Sequence, residues 1–281
     1  MLGPPRMPML DSGETLGILG GGQLGRMLAL AGYPLGIRCH FFDPADAAPV
    51  AGLGPVVHAP YDDLEALGRW ASAVDVVTYE LEGIPAAAAR RLQESVCLRP
   101  GARALEITSD RLEEKHLFGR LGIPTPSWKE ASTVREAGAA MNALGAPVLL
   151  KRRRGGYDGR GQVLVVASAG LPAAWDSLGT TEVIVEKQVP FKRELSVIAA
   201  RAADGEIRQY PLVENHHREG ILRYSIAPAE ASDRLQSQAT DYMSRFLQHV
   251  QYVGTATIEL FEVEGQLLAN EIAPRVHNSG H

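Results

Sequence analysis

Short apolar runs alternate with polar stretches along the chain, and the spacing of that alternation divides the sequence. Residues 15–19 are apolar and strand-like, residues 20–25 are glycine-rich, and a helical pattern follows through residue 31. An apolar run at 37–42 closes on Asp43-Pro44. Another run at 74–78 precedes Glu80 and a helix of small residues at 86–92, and 96–98 reads as a short strand. Strands alternating with helices predict a parallel sheet covered on both faces, a Rossmann-like domain over residues 15–110. Residues 110–121 read as a helix capped by Ser109 or Asp110, whose side chains accept from the first turn. Gly122 and the prolines at 124 and 126 end it in a stiff connector, so 111–126 are helix and linker. Residues 127–189 form a second unit: helix 132–144, strand 148–151, a Gly-rich loop, strand 162–166, a helix and strand 182–186. The remainder, 190–281, is strand-dominated. It holds a hairpin of 195–201 with 207–211, a helix at 231–249, and a last hairpin of 255–261 with 266–272. The expected class is α/β in the first half and α+β in the second.

Composition narrows the classes. The 281 residues are 45% apolar and 22% charged, too ordinary for a disordered chain and long enough for two or three domains. No run approaches the roughly 18 apolar residues of a membrane span, so no membrane association is expected. The net charge of −5 argues against a protein that coats nucleic acid. Cys39 and Cys97 have no ligand-like spacing and sit in strand-like stretches, which reads as two buried thiols in a reducing compartment. Residues 1–14 carry prolines and glycines but no secretory core, and read as a disordered extension of a cytoplasmic protein.

Four segments carry candidate chemistry. Gly20-Gly21-Gly22-Gln23-Leu24-Gly25 is a G-x-G-x-x-G between strand and helix, with Asp43 at the end of the next strand. That pattern fits NAD, another anionic ligand, or a purely structural turn. Lys151-Arg152-Arg153-Arg154 precede a loop with four glycines, which could fold over a polyphosphate or be a solvated hairpin; nucleic acid is less suited, with Tyr157 the sole aromatic. In the last hairpin, a turn at Glu264-Gly265 sets Glu259 opposite or nearly opposite Glu271, with Asn270 beside it. Facing carboxylates need neutralising, by a hard divalent cation, by Arg275 or by solvent. The tail Arg275-Val276-His277-Asn278-Ser279-Gly280-His281 is dense in polar donors, either a site or a frayed end. His216 and His217 form an adjacent pair that can be a ligand site or simply surface.

In combination, LGGGQLGRML, SDRLEEKHLF, KRRRGGYDGRGQ, EKQVPFKRELS, IELF and NEIAPRVHNSGH resemble the 5-(carboxyamino)imidazole ribonucleotide synthase family of ATP-grasp enzymes (the phosphoribosylaminoimidazole carboxylase ATPase subunit), from Leu16 to His281. The resemblance implies a Rossmann-like domain, an ATP-grasp lid at 127–189 and an ATP-grasp core at 190–281. The family has a further C-terminal β-rich domain that does not follow His281 here, so an exposed apolar face is expected where it would pack. The implied reaction joins bicarbonate to 5-aminoimidazole ribonucleotide with ATP and Mg²⁺ or Mn²⁺, through carboxyphosphate, in purine synthesis, by a homodimer. The alternatives are a chain that binds Mg-ATP without turnover, or another ATP-grasp ligase such as formate-dependent glycinamide ribonucleotide transformylase.

The same resemblance assigns residues. Arg111 and Lys151 meet ATP, and Gly156, Tyr157, Asp158, Gly159, Arg160, Gly161 and Gln162 form the loop over its phosphates. Glu186, Lys187, Gln188 and Val189 line the adenine edge, Glu194 accepts the ribose hydroxyls, and His217 is a further contact. Glu259 and Glu271 hold the metal, with Asn270 alongside. Gln23, Leu24 and Glu80 hold the ribonucleotide. Lys151, Tyr157, Arg160, Arg275, Asn278 and His281 are the catalytic candidates, and Arg275, Asn278 and Ser279 also bind substrate. Lys192-Arg193 are an unusually basic approach to Glu194, without an evident role.

Overall fold

The computed structural model describes residues 10–156, 159–218 and 220–281. The first domain runs β1 (Thr15–Leu19), α1 (Gln23–Gly32), β2 (Arg38–Phe42), β3 (Val56–Val57), α2 (Leu64–Ala71), β4 (Val76–Tyr79), α3 (Ala86–Gln93), β5 (Cys97–Leu98) and α4 (Ala102–Thr108). Its sheet is parallel in the order β3-β2-β1-β4-β5, a doubly wound arrangement with helices on both faces. Side chains alternate along each strand, so Leu19, Phe42 and Val77 pack on α2, α3 and α4, while Ile18, Cys39 and Phe41 pack on the α1 side. Cys39 and Cys97 are both free thiols; Cys39 is buried as expected, but Cys97 is half-exposed. Residues 11–14 form a turn tied to the fold by Gly13 N–H donating to Gly36 O at 2.9 Å.

Next come α5 (Arg111–Arg120), β6 (Trp128–Ala131), α6 (Val134–Leu144), β7 (Val148–Arg152), β8 (Gln162–Val165), α7 (Leu171–Leu178) and β9 (Val183–Lys187). These four strands make a sheet in the order β6-β9-β7-β8. Val148, Leu150, Val165, Val183 and Val185 bury one face against α6 and α7. By alternation the other face carries Leu149, Lys151, Gln162, Leu164, Ile184 and Glu186.

The last part holds β10 (Arg193–Arg201), β11 (Ile207–Gln209), β12 (Val213–Arg218), β13 (Ile221–Ile226), α8 (Asp233–His249), β14 (Gly254–Val263) and β15 (Gln266–Ala273). Its antiparallel sheet runs β13-β12-β10-β14-β15, with β11 beside β10. Leu195, Val197, Ala256, Ile258, Leu260, Leu267 and Ala269 cover one face with α8 and with Leu117 and Phe118 of α5. The other face is polar: Glu194 and Ser196 of β10 lie beside Glu259 of β14 and Asn215 of β12.

Sequence reading omits β3, α2, α4, β6, β12 and β13. Of these, β3 has two residues, and β6 and β13 lie at sheet edges, where one-sided burial leaves little alternation to read. Of the exposed large apolar side chains, Ile221, Tyr224 and Ile226 cluster on the edge strand β13. Among the described residues no helix is long and apolar enough to cross a membrane.

Candidate active site

The polar faces of the second and third sheets approach one another, and α5 closes the end between them. Near the loop a cleft of about 550 Å³ lies between Leu149, Gln162 and Leu164 of the second sheet and Gly220 and Ile221 at the β12–β13 turn, a size suited to a nucleotide-scale ligand. Lys151 extends from β7 and pairs with Glu186 of β9. The second Glu186 oxygen pairs with Lys115 Nζ of α5 at 2.6 Å.

The floor depends on an irregularity in the last hairpin. Glu264 (φ 49°) and Gly265 (φ 73°) both sit in the left-handed region, which a two-residue hairpin turn requires. From that turn Leu260 pairs with Ala269, but Ile258 pairs with Ile272, so Asn270 and Glu271 together oppose Glu259. Ala269 and Ile272 both enter the apolar core. The two residues between them are therefore both turned toward the polar face, which strict alternation would forbid. Glu271 pairs with Arg111 NH1 at 2.7 Å, and Glu259 pairs with His277 Nε2 at 3.0 Å.

Desolvation opposes ionisation of Glu186, but Lys151 and Lys115 outweigh it and hold the carboxyl at about 2. Burial pushes the Lys151 ammonium below its ordinary value, against the pull of Glu186. Burial and the Glu271 charge push Glu114 up to about 8. Burial opposes ionisation of Glu271 too, and Arg111 holds it below the usual carboxylate range. Arg111, Lys115 and Lys151 are thus gathered with Glu114, Glu186 and Glu271, and the cationic side of this cluster suits an anionic ligand. For a metal, Asn270 Oδ1 is a buried oxygen without a hydrogen-bond partner among the described residues. It adjoins Glu259 and Glu271 in the bulge, and this all-oxygen set suits a hard divalent cation. Among the described residues no group of three or more His, Cys, Asp or Glu could hold a metal by itself. Such a cation would therefore need phosphate or water to complete its shell.

The basic run divides at the end of β7, after Arg152. Lys151 faces the cleft, but Arg153 binds Asp110 through Nε (3.0 Å) and NH2 (2.7 Å), and Arg154 binds Asp110 and Glu182. Arg153 and Arg154 are thus engaged at the α5 N-cap rather than turned into the cleft beside Lys151. The loop beyond is closed by Arg152 N–H donating to Gly161 O at 2.8 Å. Gly159 and Gly161 hold φ near +73°, where a side chain would be strained.

Comparison with known proteins decides the family. Residues 13–109 match the ribonucleotide synthetase preATP-grasp domain and residues 116–281 match the ATP-grasp domain. Among the relatives is the N5-carboxyaminoimidazole ribonucleotide synthase of Pseudomonas aeruginosa, 48% identical over 95% of this chain and 73% of its own length. That of Brucella melitensis is 42% identical over 97% of this chain and 76% of its length.

The chain belongs to the N5-carboxyaminoimidazole ribonucleotide synthase family of ATP-grasp proteins.

The crystal structure of N5-carboxyaminoimidazole ribonucleotide synthetase from Thermus thermophilus superposes with a TM-score of 0.89 at 47% identity, over 95% of this chain and 72% of that one. A structure from Aspergillus clavatus, in complex with ADP and 5-aminoimidazole ribonucleotide, gives 0.87 at 30% identity, over 96% and 72%. The chain thus spans about three-quarters of these relatives. The matches bear out the family resemblance and the mixed α/β class.

The other expected residues fall around the cleft as follows. Glu194 and His217 pair at 2.9 Å on the polar floor, and the Glu194 hydrogen bond raises the His217 pKa. His216 instead pairs with Glu214 and stacks on Tyr224. Lys187 and Gln188 donate their backbone N–H groups to Ser127 O and Pro147 O. Arg160 and Gln162 are exposed at the loop, while Gly156 and Gly161 are half-buried. Tyr157 and Asp158 lie outside the described residues. Arg193 proves structural, bridging Glu262 and Glu214, and Lys192 pairs with Glu262.

The tail is anchored rather than frayed. Arg275 NH2 pairs with Glu82 of the first domain at 2.7 Å, and His277 Nδ1 meets Ser279 Oγ at 2.8 Å. Asn278 and His281 are exposed and Ser279 is buried; burial, then the His277 charge, lowers the His281 pKa. The Gly-rich turn is filled from within: Asp43 accepts from Gly21 N, and Glu80 accepts from Gly22 N and Gly25 N, each at 2.6 Å. These internal carboxylates occupy the amides that a dinucleotide pyrophosphate would need, and Asp43 is not free for a ribose. Gln23 is exposed on that turn and Leu24 is buried. Sequence reading overlooked Glu114, Lys115 and Glu82. For the first two a signal existed: 111, 114 and 115 share one helical face.

Proposed function

We infer that this chain uses ATP to carboxylate 5-aminoimidazole ribonucleotide with bicarbonate, giving the N5-carboxylated ribonucleotide, ADP and phosphate. The observation that carries the reading is the placing of Lys151 and Arg111, with Lys115 behind them, against the Glu259–Asn270–Glu271 bulge at one cleft. Cations on one side and metal-type oxygens on the other are what a nucleotide triphosphate with its metal requires.

Lys151 and Arg111 neutralise the phosphates, with Gly156, Gly159, Arg160, Gly161 and Gln162 of the Gly-rich loop beside them. The segment Glu186, Lys187, Gln188 and Val189 borders the base; with the Lys187 and Gln188 N–H groups already used, its other backbone groups read the base edge. Glu194 takes the ribose hydroxyls, with His217 fixed beside it. Mg²⁺, held by Glu259, Glu271 and Asn270, would supply charge neutralisation to the phosphates. Bicarbonate becomes reactive when its oxygen takes the γ-phosphoryl group, because the carboxyphosphate so formed has a good leaving group. In this reading Arg275, held by Glu82, and the donors Arg160, Asn278, Ser279 and His281 bind the small anion. Gln23, Leu24 and the loop organised by Glu80 hold the ribonucleotide. A closed loop excludes water from the labile intermediate. A cytoplasmic homodimer is part of this reading.

The test is phosphate release from Mg-ATP by the 281-residue chain, with and without bicarbonate and 5-aminoimidazole ribonucleotide, alongside mass spectrometry of the product. Release that requires the ribonucleotide, with carboxylated product, supports the reading. ATP binding without release would leave a nucleotide-binding chain, a reading that the chain's coverage of 73% of its relative makes worth separating.

A further inference from the structure

A β-bulge removes backbone groups from the ladder, and buried backbone groups need other partners. In the β15 bulge those partners come from one face of α5. Lys115 Nζ donates to Asn270 O at 3.1 Å. Ile272 N–H donates to Glu114 Oε1 at 2.6 Å. Arg111 NH1 donates to the Glu271 carboxylate at 2.7 Å. Residues 270, 271 and 272 are thus each gripped by one residue of the i, i+3, i+4 stripe 111, 114, 115. Glu114 and Lys115 are each only 2% exposed and both are engaged, so their action on a ligand is indirect. Lys115 also binds Glu186, which binds Lys151, so one chain of polar contacts joins the phosphate lysine to the bulge.

We propose that Glu114 and Lys115 are positioning residues that fix the β15 bulge so that Asn270 Oδ1 and the Glu271 carboxylate converge on the metal. This rests on the reading that the bulge and Glu259 hold Mg²⁺. Glu114 Oε1 accepts the Ile272 N–H, and that hydrogen bond distinguishes its variants. Glu114→Gln keeps an acceptor oxygen of the same reach; Glu114→Leu removes it. Lys115→Met releases the Asn270 carbonyl.

The experiment is calorimetric titration of ADP into the full chain with and without Mg²⁺, with thermal unfolding run in parallel. The readout is the ratio of the two Kd values, the Mg²⁺ enhancement. Glu114→Gln keeps that enhancement within about two-fold, whereas Glu114→Leu and Lys115→Met lose about ten-fold or more of it, the range seen when groups supporting metal ligands are removed. Metal-free ADP affinity of Glu114→Leu stays near that of the parent, which a general loss of fold would not allow. Should Glu114→Leu not fold, Lys115→Met carries the same ratio. Enhancement retained in the folded variants overturns the proposal, as does Glu114→Gln losing as much as Glu114→Leu. Absence of any Mg²⁺ enhancement in the parent chain overturns the metal reading itself, and the proposal with it.

Discussion

Glu186→Gln is the most informative single substitution, because one buried carboxylate holds two lysines. The side chains of Glu186, Lys115 and Lys151 are 1%, 1% and 5% exposed, so solvent screens the cluster very little. Its carboxyl is held at about 2, against an ordinary 4.5. That difference corresponds to about 3 kcal/mol of stability at neutral pH. The size agrees with the roughly 3–5 kcal/mol lost when one partner of a buried pair is removed. The sign is set by linkage. A depressed carboxylate stabilises the fold above its unfolded value and loses that contribution as pH falls toward the folded one. The gap between the parent and Glu186→Gln should therefore be about 3 kcal/mol at pH 7 and about 2 kcal/mol at pH 3.5. Urea unfolding at the two pH values measures it. ADP should restore part of the loss when expressed against the parent, since its phosphates remain attracted to the two lysines. A gap below about 1 kcal/mol at pH 7, or one that grows as pH falls, would refute the reasoning.

Three further substitutions test other parts of the site. Gly20→Ala should cost about 2 kcal/mol or more in thermal unfolding, because φ is +102° and the new Cβ would lie 2.4 Å from Glu80 Cγ; an unchanged melting temperature would mean that the turn does not depend on Glu80 packing there. Asp110→Ala removes the α5 cap to Leu112 N–H (3.0 Å) and uncouples Arg153, so urea unfolding should show a loss of about 2 kcal/mol or more. For His217, the hydrogen bond its ring N–H donates to Glu194 raises the ring pKa, so the pair's stabilisation is complete below pH 6.5 and fades as pH rises through the raised value. The stability gap between the parent and His217→Gln should accordingly shrink from pH 6 to pH 9, and a gap that widens would contradict the pairing.

Much of the scaffold is local in origin and was legible. β1 and α1 follow from an apolar run, a glycine turn and a helical period. The α5 start follows from Asp110, and the final hairpin from Glu264-Gly265, whose backbone conformations select a two-residue turn. The elements that escaped reading lack such marks. β6 (WKEA) buries only Ala131 because it lies at a sheet edge, and β13 exposes apolar side chains that a half-buried strand would hide. Their identity as strands comes from hydrogen bonds to partners distant in sequence.

The candidate site divides along the same line. Residue types and motif order by themselves determined the family, the nucleotide chemistry and the acids that face each other near the hairpin end, because these are encoded in short contiguous segments. Only the tertiary structure decided which charges are available. Lys151 turns into the cleft while Arg153 and Arg154 turn back onto Asp110, and the Gly-rich turn is filled by Glu80, 58 residues beyond Gly22. The β15 bulge that presents Asn270 and Glu271 together is held by α5 side chains 155 to 160 residues away in the chain. The reason is physical. A polar side chain's role depends on which opposite charge or unpaired backbone group it meets when water is excluded, and those partners are brought to it only when the domains pack.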